Sequence, residues 1–149
     1  IIKLYKIDMI NNFINYINNM NVVGAVLIKD NKIILPKRSD TLLKYPGFYE
    51  FPGGKVEKDE TLKEALKREL CEELSIDVEV DNIEEFENNV FKNDKLILTI
   101  FIVKKWKNEI IIDPKIHSMM ISVDYEDLNN VEDLLNTDKQ LIPAVLKAV

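Results

Sequence analysis

The sequence predicts an α/β layered sandwich in which strands enclose helices around one core. Three observations predict it. Short β-rich runs alternate with segments of helical periodicity. Gly, Pro, Asn and Asp punctuate the boundaries. The 149 residues, 46% of them hydrophobic, suffice for one domain. No repeat, linker or second domain interrupts the pattern.

Residues 1 to 20 read as an N-terminal extension, either a packed helix or a partly ordered arm. Ile7, Ile10, Phe13, Ile14 and Ile17 recur at helical spacing, but five asparagines dilute the pattern. Lys3 and Lys6 precede an apolar stretch as in a secretion signal. Asp8 and the asparagines break that stretch, and no small-residue cleavage site follows. A single domain is expected from 21 to 149.

Within it, Val22 to Lys29 and Lys32 to Lys37 are strands, joined by a hairpin turn at Asp30-Asn31. Thr41 to Phe48 is a loop holding Pro46 and Gly47, and Pro52-Gly53-Gly54 turns the chain again. Thr61 and Glu64 form a capping box that opens a helix running to Leu74. Ile76 to Phe86 and Leu96 to Lys105 read as strands, with a turn at Asn93-Asp94. Val123 ends another short strand, and Asp138 to Ala148 reads as a closing helix.

Charge narrows the function. A net charge of −6 repels long nucleic acid, while a small phosphorylated substrate can bind if a metal supplies positive charge. The one cysteine, Cys71, forms no internal disulfide, which suits a reducing cytoplasm. No apolar run approaches the ~20 residues of a membrane span. The expected partner is a small nucleotide, bound by a monomer or homodimer.

The helix carries the chemistry. With Leu62 at zero, Glu69, Glu72 and Glu73 fall at about 340°, 280° and 20°, beside Leu66, Leu70 and Leu74 at about 40°, 80° and 120°. Carboxylates so close repel one another, and burial raises that cost. A divalent cation offsets both effects, and Mg²⁺ or Mn²⁺ fits all-carboxylate ligands best. Taken alone, the helix reads more readily as an ordinary amphipathic element with a solvated acidic edge.

The surrounding order decides between these readings. Gly54, Glu60, Arg68-Glu69-Leu70, Glu72-Glu73 and Ile76 match the Nudix box, G-x5-E-x7-REU-x-EE-x-GU, with Ser75 in place of the second glycine. The run Tyr49 to Glu57 resembles W-E-F-P-G-G-K-V-E of the family's MutT-like branch, with Tyr for Trp. The resemblance covers roughly residues 21 to 145. It implies a mixed sheet between helices (an α/β/α sandwich) and hydrolysis of nucleoside triphosphates to monophosphate and pyrophosphate. In that branch the activity often cleans oxidised or unwanted nucleotides from the pool.

By the same resemblance, the Gly53 carbonyl and the carboxylates of Glu69, Glu72 and Glu73 hold the metal. Glu69 takes the attacking water's proton, and Arg68 anchors the loop through Glu60. The glycine pair Gly53-Gly54 lets the backbone approach the metal. Glu50, Phe51, Pro52 and Gly53 belong at the substrate. Arg38 corresponds to a phosphate-contacting arginine, or is an exposed strand-end charge. Lys55 assists the polyphosphate, or is solvated. Phe51 contacts the base, or is core. Asp138 falls where a base-reading asparagine stands in the branch; ionised, it only accepts hydrogen bonds. It also reads as the N-cap of the last helix.

Two departures bear on chemistry. In Ile116 to Leu128, which resembles EHSELRWVSLDEL, Ile116 replaces a glutamate that often ligates metal or acts as base, and Ser122 replaces a tryptophan. Asp113 or Asp94 substitutes, or the box acts alone. His117 is structural or catalytic. Three functions stand: a MutT-like triphosphate pyrophosphohydrolase; a hydrolase of nucleotide sugars, dinucleotide polyphosphates or capped RNA; and a non-catalytic nucleotide-binding domain. The complete acidic set argues against the third.

Overall fold

A computed structural model describes residues 4–7, 9–10 and 20–149. Strands β1 (Met20–Lys29), β2 (Lys32–Arg38), β3 (Gly53–Lys55), β4 (Ile83–Glu84), β5 (Val90–Lys92), β6 (Leu96–Val103) and β7 (His117–Asp124) form one sheet. The order is β4-β6-β1-β2-β7, with β3 added to β1 and β5 to β6. β1 runs parallel to β6, and every other pairing is antiparallel, so the sheet is mixed.

The expected hairpin joins β1 to β2. Asp30 and Asn31 both take left-handed φ, 53° and 59°, the geometry whose twist suits a two-residue turn. Central β1 buries both faces. Val23, Ala25 and Leu27 meet Leu66, Leu70 and Leu74 of α1 (Leu62–Leu74), while Val26 and Ile28 lie in a second core with Ile142 and Val145 of α3 (Ile142–Ala148). These layers make the expected α/β/α sandwich.

α1 begins as its sequence dictates. Thr61 Oγ1 accepts the Glu64 N–H at 3.1 Å, and Glu64 Oε1 accepts the Thr61 N–H at 3.4 Å. It ends at Ser75, which takes φ 60° and donates its N–H to the Cys71 carbonyl.

Three expectations change. Ile76 to Phe86 is not one strand. Asp77 makes only an isolated backbone bridge, to Lys107, a 3-10 turn follows at Val80–Asn82, and β4 keeps two residues. The apolar side chains Ile76, Val78 and Ile83 are buried without a continuous ladder. Asp138 to Ala148 is not one helix but α2 (Asn136–Lys139) and α3, because Pro143 sits in the first turn of α3 and starts a new helix. The strand ending near Val123 is longer than expected, starting at His117. Residues 4–7 and 9–10 of the N-terminal extension are helical. The rest of that expected segment lies outside the described residues. Among the described residues, no helix is long and apolar enough to cross a membrane.

Candidate active site

α1 and the β3 turn set the acidic residues. Arg68 organises them. Its Nε and Nη2 donate to Glu60 Oε1 and Oε2 at 2.8 and 3.2 Å, as the box resemblance implied, and Nη2 also reaches the Lys55 carbonyl at 3.0 Å. Nη1 goes further than expected, to Glu69 Oε1 at 2.9 Å and Glu72 Oε2 at 3.3 Å. The Glu60 contact, above all, holds the guanidinium even more firmly protonated than usual.

The three box glutamates occupy different surroundings. Glu72 is exposed. Glu69 is largely enclosed, and its burial raises its pKa against the opposing pull of Arg68. Glu73 is the extreme. Its Oε2 is shut off from solvent with no hydrogen-bond donor, and burial, then the charges of Glu50 and Glu69, push its carboxyl up to about 9.

Close packing requires both glycines of the pair. A Cβ on Gly53 would lie 1.9 Å from the Val23 carbonyl oxygen, so this glycine lets β3 dock on β1. A Cβ on Gly54 would lie 2.5 Å from the Glu69 carboxyl carbon. The turn is bare because Glu69 needs the space.

A cavity of about 400 Å³ opens beside this turn. Arg38, Glu50, Phe51, Gly53, Lys55 and Asp138 line it, as do Lys44, Tyr45, Phe91, Leu135, Asn136 and Thr137, which the sequence reading missed. The Pro46-Gly47 loop signal pointed near Tyr45; nothing local marks the others. Pro52 does not line the cavity, and its carbonyl accepts the Ala25 N–H at 2.8 Å. A larger depression of about 680 Å³ lies along the outer side of α1. Its walls are paired charges such as Arg68–Glu60 and Lys67–Asp77, together with Cys71, and hold no aromatic ring.

Several roles shift on contact with the geometry. Arg38 is not a loose strand-end charge: Nη1 meets Glu50 at 3.1 and 3.3 Å, and Nε and Nη2 meet the Lys44 and Tyr45 carbonyls. Phe51 is both core and cavity wall. Leu135 caps α2 and Leu141 caps the last helix, α3, so Asp138 is not an N-cap. It is buried, and Oδ2 accepts the Phe51 N–H at 2.8 Å. Burial lifts its pKa to about 7, so near neutrality much of it is a neutral acid rather than the pure acceptor expected. Ile116 presents its main-chain oxygen to Ser39 N–H. Asp113 accepts the Lys115 N–H, and neither it nor Asp94 lines the cavity. Glu50 is the additional carboxylate that bears on Glu73.

The NUDIX domain family matches residues 18–145, a span holding the whole sheet and α1. This chain belongs to the NUDIX family. An 8-oxo-dGTP diphosphatase from Proteus vulgaris is 39% identical over 89 residues, 58% of this chain and 77% of that protein. A CTP pyrophosphohydrolase from Escherichia coli (strain K12) is 47% identical over 64 residues, 41% of this chain and 44% of that protein. A solved structure from a study of MutT from Aliivibrio salmonicida and Vibrio cholerae superposes with a TM-score of 0.72 at 26% identity, over 88% of this chain and 99% of that one. The chain is a MutT-like NUDIX hydrolase, an enzyme of phosphoanhydride bonds.

NUDIX hydrolases generally use a divalent metal. Among the described residues no three acidic, histidine or cysteine side chains are gathered around one cation-sized point. Arg68 holds Glu69 and Glu72 to itself. The donor set nevertheless suits such an ion. Glu73 Oε2 is a buried oxygen without a partner, and its proton is held against three neighbouring carboxylates.

Proposed function

We propose that this NUDIX hydrolase converts nucleoside triphosphates to monophosphates and pyrophosphate with Mg²⁺ or Mn²⁺. The residues that would hold the ion are the Gly53 carbonyl and the carboxylates of Glu69, Glu72 and Glu73. The observation that carries the reading is the unpartnered, buried Glu73 carboxyl. It is coupled to Glu50, which lines a cavity with an apolar and a charged side. When bound, such an ion neutralises phosphate oxygens and lowers the pKa of the attacking water.

The chain's own groups divide the remaining work. Phe51, Phe91 and Leu135 offer the base an apolar wall, with Thr137 and Asp138 as its polar edge. Lys44 and Lys55 supply positive charge for the phosphate chain, beside an Arg38 largely engaged with Glu50 and the loop. Glu69 takes the water's proton, and its enclosure, which raises its basicity, fits that task. Arg68 and Glu60 tie the β3 turn to α1. On this reading one domain spans 21 to 149 and serves nucleotide-pool sanitation, and so DNA repair, in the cytoplasm.

A turnover screen with Mg²⁺ tests it, with 8-oxo-dGTP and CTP first because relatives carry those names. Monophosphate and pyrophosphate should appear, with labelled solvent oxygen in the pyrophosphate. Diphosphate plus inorganic phosphate would contradict the reading. So would turnover confined to nucleotide sugars, dinucleotide polyphosphates or capped RNA.

A further inference from the structure

His117 is the chain's only histidine and is fully buried. It opens β7 opposite Arg38, where the β2–β7 register shifts. Its Nε2 lies 3.0 Å from Glu50 Oε2, while Nδ1 is buried without a partner. Those surroundings select the tautomer with Nε2–H donating to Glu50 and Nδ1 bare, since a protonated Nδ1 would bury an unmet N–H. Fully buried and absent from the cavity lining, His117 makes no contact with a substrate bound there.

Its influence runs outward instead. Glu50 receives Arg38 Nη1 through both oxygens. Arg38 then grips the Lys44 carbonyl at 2.8 and 3.2 Å and the Tyr45 carbonyl at 3.2 Å. Tyr45 holds φ 50°, a conformation that a non-glycine residue does not favour unaided, so the loop depends on such external bonds. Lys44 and Tyr45 form one wall of the cavity.

We propose that His117 is a positioning residue: it fixes Glu50, Glu50 fixes Arg38, and Arg38 fixes the Lys44–Tyr45 wall against which the nucleotide binds. The last step rests on the proposed function; the chain of contacts does not.

Two variants and two readouts test it. Gln places its side-chain amide where Nε2 stands, and Leu cannot donate. In His117→Leu, trypsin should cut after Lys44 about tenfold faster than in wild type, as a buried charged hydrogen bond lost from the closed loop favours its open form. KM for the triphosphate should rise about tenfold, with kcat changed less than about threefold. His117→Gln should stay near wild type in both. Equal damage from Gln and Leu, or unchanged cleavage in a folded Leu variant, would overturn the proposal. Nitrogen NMR of the single imidazole decides the case even if Leu does not fold: Nδ1–H with bare Nε2 refutes it. Faster cleavage with no triphosphate turnover in any form would keep the positioning chain and reject the nucleotide reading alone.

Discussion

Glu73 and Asp138 are two enclosed acids whose protons both feel Glu50 and Arg38. The folded protein holds the Glu73 proton to about pH 9, whereas the unfolded chain gives it up near the ordinary carboxylate value. Its contribution to metal-free stability is therefore full at low pH and is lost as pH climbs through 9. Glu73→Gln stays neutral throughout. In chelated buffer its melting temperature relative to wild type should climb steadily between pH 5 and 9, while turnover with Mg²⁺ should fall roughly a hundredfold or more. A flat difference in melting would mean the carboxyl is solvated. Asp138 behaves alike over a lower window, with stability present below the ordinary carboxylate range and lost as pH passes about 7. Asp138→Asn can still accept the Phe51 N–H, so calorimetry should show it gaining on wild type from pH 4 to 8 and no further above that.

Ser75 shows how an element can be spelled imperfectly and still form. It ends α1 in the left-handed conformation at φ 60°, where the motif's usual glycine carries no Cβ penalty. Ser75→Gly should stabilise the protein by about 1 kcal/mol, a rise of roughly 2–4 °C in melting temperature, with kcat unchanged. A lower melting temperature would show that the serine makes a compensating contact. Elements set by local signals were legible in advance: the Asp30-Asn31 hairpin, the Thr61–Glu64 box and the extent of α1 all hold. Those set by distant partners were not. Ile76 and Val78 are strand-like residues, yet their burial in the core beneath α1 needs no ladder, and only Ile83 joins the sheet, opposite Val103 of β6. The same division runs through the site. The spacing on α1 announced Glu69, Glu72 and Glu73, because helical geometry alone brings them to one arc. That Glu50 bears on Glu73, or that Arg38 turns to the Lys44–Tyr45 carbonyls, depends on strands meeting across the sheet.

At the scale of the whole molecule, the metal proposed for the acidic arc would couple folding to binding. An ion that binds only the folded chain stabilises it by mass action, about 2.7 kcal/mol at a hundredfold excess over Kd. Mg²⁺ should raise the melting temperature of wild type, and Glu72→Gln should respond less, its free-form stability barely changed because Glu72 is exposed. Chelation should abolish turnover. Equal thermal shifts in both proteins would remove Glu72 from the ligand set. The sheet order carries a separate consequence for synthesis. β1, the glycine turn and the acidic helix leave the ribosome before β6, so β1 lacks its parallel neighbour until β6 has been made. Asp138 closes on Phe51 from 87 residues downstream. Translation is slow beside the formation of a helix, so each nascent chain displays its acidic helix before the cavity has walls. The cavity therefore stays incomplete on each nascent chain until the segment that carries Asp138 has emerged.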